Sequence, residues 1–369
     1  MQTTLDIGYP KPFLKWAGGK SQLLPEINMC IPKDIRESKR IKKYFEPFLG
    51  GGAVFFSLIS NYRIGEVYLS DINNELILTY NVVKENPKEL IEKLKILSDE
   101  YPSEKEDIKE YYYGIRKSFN NNLVDFDFEN YSEKHMERAA QFIFLNKTCF
   151  NGLFRVNKKC EFNVPCAYTK NPLICDESNI LNVSKSLQNV NLKCVNYLEL
   201  EPLIDDDSLV YLDPPYKPLN NSSSFNGYSK YRFDDDNQIE LAEFYKRISN
   251  KGAKAILSNS DPKNNNESDN FFDDLYSDYN IGRVKAKRNI NSKGNKRGYV
   301  SEILITNYWV VHFKNFTLDD FTVRVVDWFS CFPHNLIVIN YLILVVTYTC
   351  NYTKNTVSQK KNQKPYQKQ

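Results

Sequence analysis

The run Asp213-Pro214-Pro215-Tyr216 follows the short apolar stretch Ser208–Leu212, and its residue types suit an amino group on a flat base. Two consecutive prolines end a strand and remove two backbone N–H donors. The Asp213 carboxylate and the Pro214 carbonyl can then accept the two amine hydrogens, while the Tyr216 ring stacks on the base. These bonds localise the nitrogen lone pair and make the amine a nucleophile. An ordinary strand-ending turn is the alternative.

A second run, Phe45-Glu-Pro-Phe-Leu-Gly-Gly-Gly52, again reads as strand, glycines and helix. Glycines let the backbone approach a ligand closely at the start of a helix. Asp71 ends the next apolar run, where a carboxylate could accept a hydrogen bond from a ribose hydroxyl. Asp71 could equally be the N-cap of a helix at 73–84. The sequence leaves both interpretations open.

The third run is Phe13-Leu-Lys-Trp-Ala-Gly-Gly-Lys20-Ser21. Its Gly-Lys-Ser resembles a phosphate-binding loop, but that pattern requires a glycine at position 14, which is Leu. An ATPase is therefore excluded on the motif itself. What remains is a turn that offers backbone amides, Trp16 and two lysines to a polar ligand.

Strands and helices alternate around these three runs, which predicts an α/β domain with a parallel sheet. A mostly helical insertion interrupts the alternation, and a hairpin of strands 284–288 and 299–305 ends it. The predicted strands are 43–48, 66–70, 209–212 and 253–257; the predicted helices are 53–60, 73–84, 105–120, 133–146 and 237–249.

The net charge of +3, from 49 basic and 46 acidic residues, does not by itself indicate a nucleic-acid-binding protein. Residues 309–369 hold seven basic and three acidic side chains, or +4, which leaves −1 for the first 308 residues. Within that neutral body, residues 283–297 contain seven basic residues and no acid. A hairpin there could place them along a phosphate backbone. A solvated charge run is the alternative.

Eight scattered cysteines without a CxxC pair, and only three histidines, give no zinc spacing and favour reduced thiols in a cytoplasm. The amino terminus lacks the apolar core of a signal peptide. Residues 328–350 carry no Asp, Glu, Lys or Arg and are long enough to span a membrane. However, Pro333-His334-Asn335 interrupts this segment, which is rich in β-branched residues, so a buried strand pair or an out-of-frame extension of the gene is favoured over a membrane anchor.

The three runs, together with Phe150-Asn-Gly-Leu-Phe-Arg155, occur in the order found in Dam-type (D12 class) DNA adenine N6-methyltransferases, and the chain resembles that family over about residues 9–308. The resemblance implies a Rossmann-like sheet of the S-adenosylmethionine-dependent methyltransferases with an inserted, mainly helical target-recognition domain. It also implies double-stranded DNA as substrate, an adenine rotated out of the duplex, and no metal. The implied domains are a catalytic domain in two parts (1–85 and 187–308), the recognition domain (86–186) and an atypical tail (309–369).

The resemblance assigns roles to individual residues. Catalysis falls to Asp213, Pro214, Pro215 and Tyr216. The methyl donor is held by Trp16, Lys20, Asp71 and Asp213, with Glu46, Phe48 and Gly50 lining the same pocket.

The implied DNA contacts lie in the insertion and the hairpin. Arg155 would bind a guanine edge, Leu153 a thymine methyl, and Phe150 would fill the space that the adenine leaves. The other contacts are Lys15, Arg116, Asn157, Arg288, Lys293, Lys296 and Arg297. Family members with Asn-Gly-Leu-x-Arg act on GATC, so GATC is the implied site. One departure concerns recognition: Cys166-Ala-Tyr-Thr stands where the family has Phe-Gly and a differently placed tyrosine.

The expected protein is a cytoplasmic monomer that acts on double-stranded DNA, either alone or beside a restriction endonuclease of the same site. Two other functions stay open at this stage. One is a non-catalytic DNA-binding protein with the same fold, and the other is a methyltransferase of protein amides. A zinc deaminase, which also acts on flipped bases, lacks its ligands here.

Overall fold

The computed structural model describes residues 8–123, 126–217, 233–287 and 299–310. The hairpin residues Arg288, Lys293, Lys296 and Arg297, and the apolar segment 328–350, lie outside these ranges. Within them, no helix is long and apolar enough to cross a membrane. The six cysteines in this part of the chain are free thiols, and no three His, Cys, Asp or Glu side chains there are grouped as metal ligands.

A seven-stranded sheet in the order β3-β2-β1-β4-β5-β7-β6 forms the centre of the protein. The pairs β3–β2, β2–β1, β1–β4 and β4–β5 are parallel, while β7 pairs antiparallel with β5 and β6. This confirms the predicted Rossmann-like α/β class and the carboxyl-terminal hairpin. The strands are β1 Arg40–Glu46, β2 Arg63–Ser70, β3 Val190–Lys193, β4 Ser208–Leu212, β5 Lys254–Ser260, β6 Asn280–Lys287 and β7 Tyr299–Thr306.

Helices cover the sheet, and local capping explains where several begin. Asn73 caps one helix through its side chain, and Ser132 and Asp234 form capping boxes. The sequence predicted five of these helices and missed two in the insertion, α5 and α8. The helices are α1 Leu24–Cys30, α2 Lys33–Ser38, α3 Ala53–Asn61, α4 Asn74–Glu85, α5 Pro87–Asp99, α6 Lys105–Asn121, α7 Glu133–Thr148, α8 Glu177–Leu187, α9 Asp235–Asn250 and α10 Phe271–Leu275.

The strand order reverses between β1 and β4, because the chain leaves β1 towards β2 and β3 and returns to β1's other edge at β4. Such a reversal opens a crevice at the carboxyl ends of the two strands. All five residues of β4 are buried, so the strand is firmly embedded. The runs ending at Gly52 and Tyr216 both leave the sheet at this crevice.

A buried ion pair joins the sheet to the insertion. Arg138 of α7 is 2% exposed, and its Nε donates to the Glu75 carboxylate of α4 at 2.7 Å. The Phe119 carbonyl accepts from the same guanidinium at 2.9 Å, and the Phe119 and Phe126 rings lie 4.1 and 4.8 Å from it. The insertion is thus fixed to α4, whereas the domain boundaries at 85/86 and 186/187 stay predictions.

Candidate active site

Asp213 lies directly after β4, where two donors bind one of its carboxylate oxygens. Lys20 Nζ is 2.7 Å from Oδ1, and Ser258 Oγ donates to the same oxygen at 3.0 Å. Burial raises the pKa of Asp213, while Lys20 and Ser258 act in the opposite direction. No donor in the described part of the chain reaches Oδ2. The carboxylate therefore keeps one oxygen for a ligand.

The Pro-Pro-Tyr turn is held by hydrogen bonds from side chains that the sequence did not indicate. Gln238 Nε2 donates to the Pro215 carbonyl at 3.1 Å, and Asn259 Nδ2 donates to Gln238 Oε1 at 3.2 Å. Tyr216 donates its hydroxyl to Glu302 Oε2 at 2.6 Å. In the described ranges, nothing donates to the Pro214 carbonyl. The rigid turn thus offers that carbonyl beside the open oxygen of the preceding aspartate.

Lys20 is buried rather than displayed on an open loop. It is 4% exposed, donates to the Gly18 carbonyl at 2.5 Å and lies 4.5 Å from the centroid of the Tyr216 ring. With its bond to Asp213, the ammonium therefore contacts three groups of the site at once. Lys20 therefore brings the run 13–21 into contact with the run 213–216.

Asp71 ends β2 and binds two backbone amides. Gly50 N–H donates to Oδ2 and Asn73 N–H to Oδ1, each at 3.0 Å. The helix cap is Asn73, whose side chain accepts from Leu76 N–H, so the interpretation of Asp71 as the N-cap is wrong. Burial raises the pKa of Asp71 to about 6, against the lowering effect of the backbone donors. Asp71 thus ties the end of β2 to the glycine run after β1.

Gly50 has φ +48°, a left-handed conformation that glycine adopts without strain. A Cβ at this position would lie 2.8 Å from Trp16 Cδ1, so the indole covers the glycine backbone. The Trp16 ring also stacks on Phe154, at 5.8 Å between centroids and 14° between planes. Only glycine therefore fits at position 50, and the indole forms a wall beside the crevice.

Glu46 and Phe48 complete the end of β1. Glu46 is 2% exposed and accepts from the Tyr44 hydroxyl at 2.6 Å. Burial, with a further contribution from the Asp213 charge, raises its pKa to about 8. Phe48 packs against Tyr197 at 5.3 Å, in the segment after β3 that the sequence analysis overlooked. Carboxyl groups and aromatic rings from three neighbouring strand ends thus surround one crevice.

The run Phe150–Arg155 follows α7, and Phe150, Asn151 and Arg155 are exposed while Gly152 and Phe154 are buried. Phe150 is 53% exposed, and its N–H donates to the Pro165 carbonyl at 2.8 Å. Arg155 Nε donates to Asn163 Oδ1 at 2.7 Å. Leu153 is partly buried against the core. The loop therefore has a fixed backbone and presents an aromatic ring and a guanidinium.

Two other predicted DNA contacts, Arg116 and Asn157, hydrogen-bond to the protein itself. Arg116 Nη1 donates to the Val164 carbonyl at 3.2 Å and the guanidinium lies 4.4 Å from the Tyr113 ring centroid. Asn157 Oδ1 accepts from the N–H groups of Lys159 and Glu161, and its amide donates to the Glu161 carboxylate. Lys15, by contrast, has an exposed side chain. The first two side chains thus shape the loop around Arg155.

The hairpin confirms the predicted pairing, and one member of its basic cluster binds two carboxylates. Arg283 of β6 donates from Nε to Asp261 at 3.0 Å and from Nη2 to Asp273 at 2.7 Å. Two carboxylates therefore offset the charge of this guanidinium, which weakens its predicted attraction for a phosphate. Lys285, two residues on, is exposed.

Comparisons with known proteins agree with this geometry. Residues 16–290 match the family model of the D12 class N6 adenine-specific DNA methyltransferases. The chain is 52% identical over 300 residues to the type II methyltransferase M.MjaIII of Methanocaldococcus jannaschii, covering 81% of this chain and 99% of that protein. It is 36% identical over 300 residues to the type II methyltransferase M1.LlaDCHI of Lactococcus lactis subsp. cremoris, covering 81% and 95%. The DNA adenine methylase of Escherichia coli strain K12 is 32% identical over 294 residues, covering 80% and 94%.

Proposed function

The chain belongs to the D12 class of N6 adenine-specific DNA methyltransferases, and on that basis we propose that it methylates adenine N6 within GATC in double-stranded DNA. The family and its named members set aside the two functions that the sequence left open, a non-catalytic DNA-binding protein and a methyltransferase of protein amides. The proposal extends to the residues that hold the donor, the adenine and the flanking bases.

One observation carries the catalytic assignment. Lys20 and Ser258 bind the same oxygen of Asp213, so the second oxygen and the Pro214 carbonyl are two acceptors on one rigid turn. An exocyclic amine has two hydrogens to donate, and its base needs a flat partner. Tyr216, held by Glu302, supplies the ring. We assign the target amine to the two acceptors and the adenine face to Tyr216.

The crevice fits S-adenosylmethionine as methyl donor. That molecule, when bound, supplies a methyl group on a positively charged sulfur. With a pKa of about 6, the Asp71 carboxyl is ionised at neutral pH and can accept hydrogen bonds from ribose hydroxyls. Trp16 covers Gly50 at the wall of the crevice, and Glu46 and Phe48 close the end of β1. Lys20 holds the Asp213 carboxylate in place beside them.

The chain's own residues act by orientation and proton handling, without a covalent enzyme intermediate and without a metal. Asp213 Oδ2 and the Pro214 carbonyl fix the amine so that the nitrogen lone pair points away from the ring. Burial raises the pKa of Asp213, which improves this carboxylate as acceptor for the proton that N6 loses on methylation.

The adenine must leave the duplex to reach Asp213, because its amine is otherwise paired and stacked. We assign Phe150, 53% exposed, to the gap that the base leaves. Arg155, fixed at Nε by Asn163, presents its terminal nitrogens to a guanine edge, and Leu153 and Lys15 flank it. Lys285 and the basic residues of the hairpin tip supply phosphate contacts that carry no sequence information.

Transfer of labelled methyl from S-adenosylmethionine to short duplexes tests the proposal. We expect incorporation into a duplex with one GATC and none into a duplex in which that site is GTTC. Incorporation into both would refute the assignment of GATC while leaving N6 methylation intact. A reaction without enzyme is the control for label that is not enzyme-transferred.

A restriction endonuclease that cuts the same site is the protein partner we propose, since two similar proteins carry the name type II methyltransferase. An extract of the source cells should then cut a plasmid with unmethylated GATC sites and spare the same plasmid after treatment with this enzyme. Equal survival of both plasmids would favour a methyltransferase that acts alone.

A further inference from the structure

Asn146 of α7 holds two separate segments of the site with one side chain. It is 2% exposed; Oδ1 accepts from Lys15 N–H at 2.8 Å, and Nδ2 donates to the Lys15 carbonyl at 2.7 Å and the Gly152 carbonyl at 3.1 Å. Lys15 belongs to the donor segment, residues 13–20, which carries Trp16 and Lys20. Gly152 belongs to the recognition loop, residues 150–155.

The two segments also touch directly. The Trp16 ring stacks on Phe154, and a Cβ on Gly152 would lie 2.3 Å from Lys15 Cδ. In the described ranges no hydrogen bond joins the segments without Asn146 between them. The amide of Asn146 is therefore their polar connection, and a displacement of either segment must strain its bonds to the other.

We propose that Asn146 is a positioning residue that couples recognition of the DNA site to binding of the methyl donor; this rests on the proposed function. When the recognition loop binds bases, the Gly152 carbonyl holds the Asn146 amide in place, and this amide in turn fixes the Lys15 backbone. Lys20 lies five residues further along the chain and binds Asp213. Coupling between two binding sites is reciprocal, so bound donor favours DNA binding to the same extent.

Asn179 of α8 provides a matched control. Its Oδ1 accepts from Lys11 N–H at 2.9 Å, and its Nδ2 donates to the Lys11 carbonyl at 3.0 Å. Asn179 is 9% exposed and thus comparably placed. It brackets the same amino-terminal stretch as Asn146 does, yet it makes no bond to the recognition loop. Replacing Asn179 removes two hydrogen bonds to the Lys11 backbone but leaves Asn146 bound to both Lys15 and Gly152.

The experiment measures the affinity of the full chain for S-adenosylhomocysteine, which has no methyl to transfer, with and without duplex. The duplex is one that the wild-type enzyme methylates, so a wrong tetranucleotide is detected before coupling is measured. For the wild type we expect the duplex to tighten binding by at least about fivefold, at the low end of usual coupling. The coupling ratio is the affinity for S-adenosylhomocysteine with duplex divided by the affinity without it. For Asn146→Ala this ratio should fall to about one, while Asn179→Ala keeps the wild-type ratio.

Asn146→Ser is neutral and too short to make both donations, so it gives a second measurement without a buried charge if the alanine variant does not fold. An unchanged ratio in the folded Asn146 variant overturns the proposal. So does a wild-type ratio of one, or an equal loss in Asn179→Ala, which would mark a general effect of loosening the amino-terminal stretch. None of these outcomes bears on N6 methylation itself, which the labelled-methyl assay decides.

Discussion

The hydrogen bond between Tyr216 and Glu302 should affect the rate of methyl transfer, because it fixes the orientation of the Tyr216 ring. The hydroxyl donates to the carboxylate at 2.6 Å, and a hydrogen bond to a charged group contributes about 1.5 to 3 kcal/mol. If that energy serves only to orient the ring, Glu302→Ala should lower kcat/KM for DNA by about 10- to 150-fold. Glu302→Gln keeps a neutral acceptor and should lose only about fivefold.

Single-turnover methyl transfer at saturating donor is the assay, and a double-mutant cycle isolates the pair. Tyr216→Phe removes the same bond from its other end, so it should show the same loss as Glu302→Ala. The combination of both should lose no more than about twofold beyond either one, because the bond can be broken only once. Multiplied losses in the double variant, or a fully active Tyr216→Phe beside an impaired Glu302→Ala, would refute the reasoning.

Three further predictions concern other parts of the molecule. Asp213→Ala should abolish transfer and leave duplex binding, measured by fluorescence anisotropy, nearly intact; transfer at the wild-type rate would remove Asp213 from the mechanism. Glu75→Gln should lower the free energy of unfolding by about 3 to 5 kcal/mol, because the Arg138 guanidinium is then buried without its counter-charge. Urea titration tests this, and the pair Glu75→Leu with Arg138→Met should recover most of the loss. Donor affinity, measured by calorimetry, should weaken as the pH falls below about 6, where Asp71 gains a proton and loses its negative charge; a dependence that persists in Asp71→Asn would contradict this assignment.

The strand ends that carry the site were predictable from sequence because their signals are local. Five consecutive buried residues of β4 followed by two prolines fix both the strand and its end. The beginning of β1 could not be predicted in the same way, because the strand starts at Arg40, three residues before the predicted start. The outward side chains of Arg40 and Lys42 are exposed there, so apolar residues do not mark that part of the strand.

Partners distant in sequence explain what could not be predicted. Arg283 belonged to a run without acids, and nothing in that run indicates that Asp261 and Asp273, from other elements, bind its guanidinium. Gln238 and Glu302 likewise reach the Pro-Pro-Tyr turn only because α9 covers the sheet and β7 pairs with β5, the neighbour of β4. A sequence names the groups that react, whereas the groups that hold them depend on tertiary packing.

The position of Trp16 makes the protein its own optical probe. The chain has three tryptophans, and the indole of Trp16 contacts both the Gly50 backbone and the Phe154 ring at the wall of the crevice. Replacing Trp309, which is 56% exposed, and Trp328 by phenylalanine would leave Trp16 as the single tryptophan, whose emission can be excited apart from that of the tyrosines. Stopped-flow fluorescence of such a chain would then time the filling of the crevice without any attached dye.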